Sequence, residues 1–263
     1  MITFNKLGNL GRLGNQMFQY ASLLGISKQH GYEYAIPPKE IFGTNDEKVK
    51  DDIDDTIYDV FNIDPKNKGI SSFPVLMEKN HSFDSNLFEK CPDNIDLMGY
   101  FQTSKYFENV EEEIRKEFQF AEEIKEVCEK CLPSDECISL HIRRGDYVKL
   151  QDYHILLDEE YYKKSLEHFS DDLPVIIFSD DPEWCHLQNI FSSDRFIISE
   201  NNKTGIDLCL MAMCKYHIIA NSSLSWWGSY LSDSKKTIAP KKWFNEKLGY
   251  DCSDKYLKKW IVI

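Results

Sequence analysis

The chain has 263 residues, of which 42% are hydrophobic and 13% aromatic, enough apolar content to build one large domain or two small ones. Its formal net charge of −13 argues against broad nucleic-acid binding, because that binding needs a basic surface. The eight cysteines lie mostly in apolar periodic segments, a pattern typical of a reducing cytosol. No signal-peptide pattern or apolar run of about 18 residues occurs, so we expect a cytoplasmic protein without a membrane span.

The first predicted elements are a strand, a glycine-rich loop and a helix. Residues 2–6 predict the strand, and apolar residues then recur at helical spacing up to Gly31. A second strand is predicted over residues 32–36. Residues 40–95 are polar and acid-rich, with a DDIDD run at 51–55, and predict an irregular insertion. The remaining elements of this half are a strand over 97–102 and one or two charged helices over 105–131.

The second half alternates regularly between short apolar strands and helices. Strands are predicted over 137–142, 173–181, 195–199, 217–221 and 236–240, and helices over 158–169, 182–191, 205–216 and 223–232. This alternation predicts parallel βαβ units, and therefore an α/β protein whose second unit is doubly wound. The tail KYLKKWIVI (255–263) predicts a solvated helix end that docks Trp260 and Ile261, with contact to an anionic membrane surface as the alternative.

Charged residues stand where the predicted strand 137–142 ends. Arg143, Arg144 and Asp146 follow it directly, and ligands bind beyond the carboxyl ends of strands in such sheets. Planar guanidinium groups there suit an oxygen-rich anion such as a phosphate. We expect one arginine to bind ligand and Asp146 mainly to brace the loop. His141 alternates with Arg143 along the strand, so its ring either faces the same ligand or fills the core.

Polar residues also follow the next strand. Ser179, Asp180 and Asp181 precede a predicted helix, and capping of that helix accounts for one of the three. Asp207 lies on an otherwise apolar helix and needs a donor partner if it is buried. A nucleobase edge and the helix N-terminus are the two candidate partners.

A third strand end carries Asn221, Ser222 and Ser223, again before a helix. The free N–H groups and the dipole at a helix start favour a phosphate, although a serine there can serve as a cap alone. Trp226 and Trp227 lie deeper in the helix, where packing is the better interpretation. Together the three strand ends predict a pocket for an anion and a nucleotide.

Several better-known nucleotide and metal sites are absent from the sequence. There is no G-x-x-x-x-G-K-S/T loop and no D-x-D at a strand end. The glycine loop at 8–14 reads G-x-x-G-x-x-G, and Glu33 starts the second strand rather than ending it, so we expect no NAD site. Cys128 and Cys131 form a lone C-x-x-C on a predicted helix, which favours packing over metal binding.

Four sequence blocks identify a family resemblance. GRLGNQMFQYA (11–21), HIRRGDY (141–147), FSDD (178–181) and ANSSLSWWGSYL (220–231) together resemble the bacterial α1,2-fucosyltransferases, inverting enzymes that move L-fucose from GDP-fucose to a galactoside. The resemblance covers nearly the whole chain, and HIRRGDY with SSLSWW is its most specific part. HIRRGD also resembles the nucleotide-sugar motif of α1,6- and protein O-fucosyltransferases.

The resemblance implies an α/β fold of GT-B type, with two Rossmann-like domains facing across a cleft. Residues 1–130 would form the acceptor side and residues 131–263 the GDP-fucose side, with the C-terminal tail able to pack back on the N-terminal domain. The resemblance implies no metal or other cofactor.

Site roles follow residue by residue. Arg143 would bind the diphosphate and stabilise the departing GDP, with Arg144 supporting the pocket or pairing with Asp146. His141 and Asp207 would contact guanosine. With the strand-end residues and the glycine loop, the expected GDP-fucose set is Gly14, Asn15, His141, Arg143, Arg144, Ser179, Asp180, Asp207, Asn221, Ser222 and Ser223.

The expected catalytic set is Arg143, Asn15 and Asp146. Arg143, the backbone N–H groups of residues 11–15 and the helix after Asn221 would face the charge that develops on the leaving diphosphate. Asn15 and Gln16 are expected on the acceptor side, where Asn15 orients the attacking hydroxyl. No residue stands out as a base, since Asp146 qualifies only if no arginine engages it.

The expected partners are GDP-fucose and a galactose-terminated glycan or lipid-linked oligosaccharide, in the cytoplasm or at the inner face of the membrane. Peripheral membrane contact stays open. A protein fucosyltransferase, a fucosyltransferase of other linkage and a noncatalytic GDP-sugar-binding protein are the alternatives.

Overall fold

Two parallel β-sheets organise the computed structural model, which describes residues 1–42, 55–65, 67–134, 136–200 and 202–263. The chain divides into two units. Unit 1 comprises Met1–Ala121 and Tyr250–Lys255, and unit 2 comprises Glu122–Gly249 and Tyr256–Ile263. A late segment of the chain therefore completes the first unit before the chain returns to the second.

The division falls at Ala121 rather than at the predicted residue 130. The helix Glu122–Cys131 belongs to unit 2, because it packs against the helix Thr204–Met213 of that unit. The buried Cys128 thiol donates to the Ile206 carbonyl oxygen at 3.5 Å, which fits the packing role expected for this cysteine. Cys131, by contrast, is exposed.

Unit 1 contains a four-stranded parallel sheet. Its strands are β1 (Ile2–Thr3), β2 (Tyr34–Ala35), β3 (Val75–Met77) and β4 (Ile95–Met98), in the order β2-β1-β4-β3. The long helix Leu13–His30 follows β1 after the glycine loop and ends at Gly31, which adopts the left-handed conformation with φ of 68°. The shorter helices are Ile57–Val60, Ser85–Lys90 and Glu111–Glu117.

The prediction of an irregular insertion over residues 40–95 is wrong for the part that the structure describes. Two helices and β3 lie there, and β3 pairs with β4 so that Val75 stands opposite Asp96. These elements span three to six residues each, too few to show a hydrophobic period in the sequence. Of the acidic run 51–55, all but Asp55 lies outside the described residues.

Unit 2 contains a six-stranded parallel sheet. Its strands are β5 (Ile138–Ile142), β6 (Val175–Ser179), β7 (Phe196–Ile198), β8 (Tyr216–Ile218), β9 (Lys236–Ala239) and β10 (Ile261–Val262). They lie in the order β10-β9-β8-β5-β6-β7. Each strand and helix predicted over residues 137–240 is present, with different ends. The helices are Glu122–Cys131, Glu159–Leu166, Pro182–His186, Thr204–Met213 and Ser223–Leu231.

The tail corrects another prediction. Instead of a helix end, it forms β10, which pairs with β9 so that Ile261 stands opposite Ile238. Trp260 is buried and its ring lies 5.8 Å from that of Trp226, whereas Ile261 is 37% exposed and does not dock as expected. Within the described part of the chain, no helix combines the length and apolarity that a bilayer span requires.

Candidate functional site

The ends of β5 and β6 bring the predicted Arg143 to two carboxylates. The strands pair with Ile142 opposite Ser179, so the residues that follow them lie side by side. Arg143 Nη1 lies 2.8 Å from Asp180 Oδ2, and its Nη2 donates to Asp146 Oδ1. The Arg143 guanidinium is therefore held on two sides at the carboxyl end of β5.

Arg144 is engaged differently. Its Nε donates to Asp181 Oδ2 at 3.0 Å, and its guanidinium lies 4.1 Å from the centre of the Trp184 ring. Its backbone N–H donates to Asp180 Oδ1 at 2.8 Å. Arg144 thus anchors the loop to the helix Pro182–His186, while the Arg143 guanidinium stays at the carboxyl end of β5 between Asp146 and Asp180.

These contacts revise the roles of the acidic residues. One oxygen of Asp180 faces the Arg143 guanidinium and the other accepts the Arg144 N–H. This arrangement favours a positioning role over the direct contact with GDP-fucose that the sequence predicts. Asp146 is paired with Arg143, so it does not meet the condition set for a catalytic base. The Ser179 hydroxyl accepts the Asp181 N–H at 3.0 Å and shapes the turn, while Asp181 caps the helix by accepting the Trp184 N–H.

His141 lies on β5 and is buried, with 5% of its surface exposed. Burial lowers its pKa to about 3, with the Arg143 charge acting in the same direction, so the imidazole is neutral at physiological pH. Its Nδ1 has no hydrogen-bond partner within the described part of the chain. A buried ring nitrogen of this kind suits the predicted contact with a nucleoside.

Two aromatic residues beside Arg143 were missed by sequence reasoning. The Tyr147 ring lies 5.2 Å from the Arg143 guanidinium and stacks on the His154 ring at 3.8 Å. Its hydroxyl donates to the Asn221 carbonyl oxygen at 3.0 Å, which ties the end of β5 to the segment after β8. The tyrosine at the end of HIRRGDY was the available signal, since it follows the arginines directly.

Asn221 and Ser222, in the segment after β8, have different hydrogen-bonding roles. Asn221 is buried, and its Nδ2 donates to the carbonyl oxygens of Ile155 and Trp243 at 3.0 and 2.9 Å. Its Oδ1 has no partner among the described residues, leaving one acceptor available there. Ser222 caps the helix Ser223–Leu231 by accepting the Leu224 N–H at 3.4 Å.

Ser222 and Ser223 are both partly exposed, but the Ser222 hydroxyl is engaged in the cap, so Ser223 is the freer of the two to meet a ligand. Trp226 and Trp227 are buried, as the packing interpretation expects, and their rings lie 5.0 Å apart.

Asp207 finds its partners within the protein. It lies in the first turn of the helix Thr204–Met213, where Ser199 Oγ and Asn202 Nδ2 donate to Oδ1 at 2.8 and 3.3 Å. These two local donors engage one oxygen of the carboxylate. The guanosine contact of Asp207 stays a prediction.

In unit 1 the glycine loop leads into the helix Leu13–His30, with Gly14 buried in its first turn. Asn15 is partly exposed, and its Oδ1 accepts from Gln102 Nε2 at 2.7 Å. Gln16 is turned into the core, where its Oε1 accepts the Ile57 N–H at 3.2 Å. This burial conflicts with the predicted acceptor-side position of Gln16.

Among the residues that the structure describes, no group of three or more His, Cys, Asp or Glu side chains is arranged to hold a metal ion.

Comparison with known proteins gives a family match over nearly the whole chain. A family model described as glycosyl transferase family 11 matches residues 2–263. The chain is 32% identical to an alpha-1,2-colitosyltransferase of Escherichia coli, covering 96% of each sequence. It is 28% identical to the O-antigen biosynthesis glycosyltransferase WbnK of Escherichia coli, covering 95% of this chain and 97% of the relative. It is 25% identical to galactoside alpha-(1,2)-fucosyltransferase 1 of Rattus norvegicus, covering 84% and 62%.

Solved structures resemble the fold at low sequence identity. Fucosyltransferase NodZ from Bradyrhizobium matches with a TM-score of 0.54 and 13% identity, covering 88% of this chain and 92% of the other. POFUT1 in complex with GDP-fucose matches with a TM-score of 0.52 and 10% identity, over the same shares. These likenesses concern the fold alone, and with the parallel sheets of the two units they confirm an α/β fold of GT-B type.

Proposed function

This chain belongs to glycosyl transferase family 11, and from that premise we propose that it transfers L-fucose from GDP-β-L-fucose to the 2-hydroxyl of a terminal galactoside. The transfer proceeds with inversion and gives an α1,2-linked fucoside. The acceptor is a galactose-terminated glycan or lipid-linked oligosaccharide. Two relatives support this acceptor. The rat relative is named a galactoside alpha-(1,2)-fucosyltransferase, and WbnK is named an O-antigen biosynthesis glycosyltransferase.

The observation that carries the proposal is the fixed guanidinium of Arg143. Loss of GDP leaves negative charge on the diphosphate, and a donor held in place before the reaction stabilises that charge without reorganisation. Asp146 and Asp180 hold Arg143 from two sides, and Gly145 leaves room for the second of them. We assign this charge stabilisation to Arg143 rather than to a metal cofactor.

Buried polar atoms near Arg143 are the proposed contacts of the nucleoside. The neutral His141 lies on β5, the strand that Arg143 follows, and the unpartnered Oδ1 of Asn221 follows the neighbouring strand β8. Ser223, at the start of its helix, is the proposed phosphate contact.

A second candidate donor is favoured by one relative. The Escherichia coli protein at 32% identity is named an alpha-1,2-colitosyltransferase, and colitose is L-fucose without its 3-hydroxyl. A site without a hydrogen bond to that hydroxyl accepts both sugars, whereas a site built to bond it rejects the deoxy sugar strongly.

The test is incubation of the purified protein with GDP-fucose or GDP-colitose and a panel of lactose, N-acetyllactosamine and Galβ1,3-GalNAc, followed by linkage analysis by NMR. We expect an α1,2-fucosylated galactoside from at least one acceptor, and none from Arg143→Ala. A different linkage, transfer of colitose alone, or GDP-fucose binding without turnover on any acceptor contradicts the proposal. The last result identifies a noncatalytic sugar-nucleotide-binding protein.

A further inference from the structure

A buried lysine lies behind the glycine loop of unit 1. Lys255 closes the segment Tyr250–Lys255, and only 1% of its surface is exposed. Its Nζ donates to Gln102 Oε1 at 3.1 Å and to the Gln102 carbonyl oxygen at 3.4 Å. A buried ammonium is costly unless charges and acceptors surround it, and the carboxylates of Glu78 and Asp254 act on it here.

The lysine determines which way the Gln102 amide faces. A protonated ammonium has three N–H donors and no acceptor, so Gln102 must turn its oxygen toward Lys255. Burial lowers the pKa of Lys255 to about 8, which keeps the ammonium as the main form at neutral pH. The Gln102 nitrogen therefore points away from the lysine, toward Asn15.

The orientation of the Gln102 amide in turn determines the orientation of the Asn15 amide. Gln102 Nε2 is a donor, so the Asn15 amide must offer its oxygen, and the two atoms lie 2.7 Å apart. The Asn15 oxygen is thereby engaged inside unit 1. The remaining side of the amide is Nδ2, which carries two N–H donors.

Gly11 leaves space for the outer end of the Asn15 amide. It adopts the left-handed conformation with φ of 85°, and a Cβ built on it would lie 2.3 Å from Asn15 Nδ2. The bare glycine thus provides the space that the Nδ2 group occupies. Asn15 itself is partly exposed, so a substrate oxygen can reach it.

We propose that Lys255, acting through Gln102, is a positioning residue that fixes Asn15 as a hydrogen-bond donor toward an electron-rich oxygen of the sugar substrates. The inference rests on the proposed function, because it concerns a substrate contact of that reaction. It also restricts the role of Asn15. An amide in this orientation orients a hydroxyl or phosphate oxygen by donation and does not receive the hydroxyl proton.

The first test compares Asn15→Asp with Asn15→Ala. The aspartate still accepts from Gln102 with one oxygen, but it places a second oxygen where the N–H group was. We expect Asn15→Asp to lower kcat at least as far as Asn15→Ala does, by about tenfold or more for a lost hydrogen bond in the transition state. An Asn15→Asp enzyme with kcat near that of the wild type overturns the proposal, because an acceptor then suffices.

The second test reverses the amide without removing the lysine contact. Gln102→Glu keeps an acceptor for Lys255 but presents an oxygen to Asn15, which must then turn Nδ2 inward. We expect kcat to fall about tenfold while the melting temperature is unchanged or higher, since a buried charge gains a partner. The matched control is Gln119→Glu, the same change at an exposed position of unit 1. Equal kcat values for wild type, Gln102→Glu and Gln119→Glu overturn the proposal.

A change in KM separates the two oxygens that Asn15 can contact. A rise in the KM for GDP-fucose in Asn15→Ala identifies a phosphate oxygen, and a rise in the KM for the galactoside identifies the acceptor hydroxyl. Both results support the donor role.

A third measurement does not depend on turnover, so a failure of the proposed function is distinguishable from a failure of this inference. In the free protein we expect nuclear Overhauser contacts between the Asn15 side-chain amide protons and the Gly11 α protons. Contacts from those amide protons to the Gln102 side chain with none to the Gly11 α protons show the opposite orientation and overturn the proposal.

Discussion

At the scale of single residues, Arg143 and Arg144 have the same charge but different uses. Arg143 is held between Asp146 and Asp180, while Arg144 is engaged by Asp181 and the Trp184 ring. The two arginines are adjacent in the sequence, which does not distinguish them. The distinction comes from the neighbours that β6 and its following helix supply.

We predict that Arg143→Lys lowers kcat by about 100-fold, because lysine keeps the charge but loses the planar fork that two carboxylates hold. Arg144→Lys serves as the comparison, and we expect a smaller loss because its guanidinium is directed to Asp181 and Trp184. Steady-state kinetics with saturating acceptor measure both. A larger loss in Arg144→Lys than in Arg143→Lys reverses the assignment of the ligand-binding arginine.

Gly145 allows a second residue-scale prediction. A Cβ at this position would lie 2.3 Å from Asp180 Oδ2, so Gly145→Ala displaces the carboxylate that holds Arg143. We expect GDP binding to weaken about tenfold, the effect of disturbing one charged hydrogen bond. Gly69→Ala is the control, since its Cβ would meet nothing within 4 Å. Calorimetric titration with GDP measures both variants, and equal affinities contradict the positioning role of Asp180.

At the scale of elements, the last strand shows how the chain end stabilises unit 2. β10 extends the sheet at β9, and the residue before it, Trp260, fills a buried position against Trp226. The sequence shows the apolar residues of the tail but not their partner strand. Ile261 pairs with Ile238 on the preceding strand of the chain, and no local pattern in the tail specifies that partner.

We predict that Trp260→Ala lowers the free energy of unfolding by about 3–5 kcal/mol, the usual cost of emptying a large aromatic position in a core. Ile261→Ala, one residue further, should change it by less than about 1 kcal/mol because Ile261 is 37% exposed and lies outside the core. Chemical denaturation followed by tryptophan fluorescence and circular dichroism measures the difference. Similar losses in the two variants would show that Trp260 is not a core residue.

At the scale of the whole molecule, burial sets the response to acid. His141 and His217 are both buried in unit 2, and burial lowers the pKa of each to about 3. In the unfolded chain a histidine titrates near 6.5, so between pH 6.5 and 3 the unfolded state binds more protons than the folded state. The free energy of unfolding that these two histidines contribute is therefore fully present above pH 6.5 and is lost as the pH falls from 6.5 to 3.

We predict that His217→Gln flattens this dependence by up to about 1.4 kcal/mol per pH unit between pH 6.5 and 3. Glutamine retains a polar group for the Ser232 hydroxyl, which lies 2.9 Å from His217 Nε2. Urea denaturation at several pH values measures the slope. Parallel stability curves for wild type and variant would mean that His217 is not held neutral in the folded protein.

The two halves of the chain differ in how far their elements could be predicted. Over residues 137–240 the strands Ile138–Ile142 and Val175–Ser179 are largely buried, and the helices Thr204–Met213 and Ser223–Leu231 are long enough to show their period, so local sequence predicts them. Over residues 55–95 the elements are one turn or one short strand each, held by partners such as β4. Local sequence carries no period over so few residues, and the prediction of an irregular insertion failed there.

The sequence alone determined the α/β class, the family resemblance and the position of Arg143 at a strand end, because hydrophobic period and local motifs are properties of neighbouring residues. The tertiary structure alone decided that Asp180 positions the arginines, that Gln16 is buried and that Lys255 lies behind Asn15. Lys255 and Gln102 are far apart in the chain. Such contacts depend on how β-strands order themselves and on where the tail returns, and no local pattern encodes them.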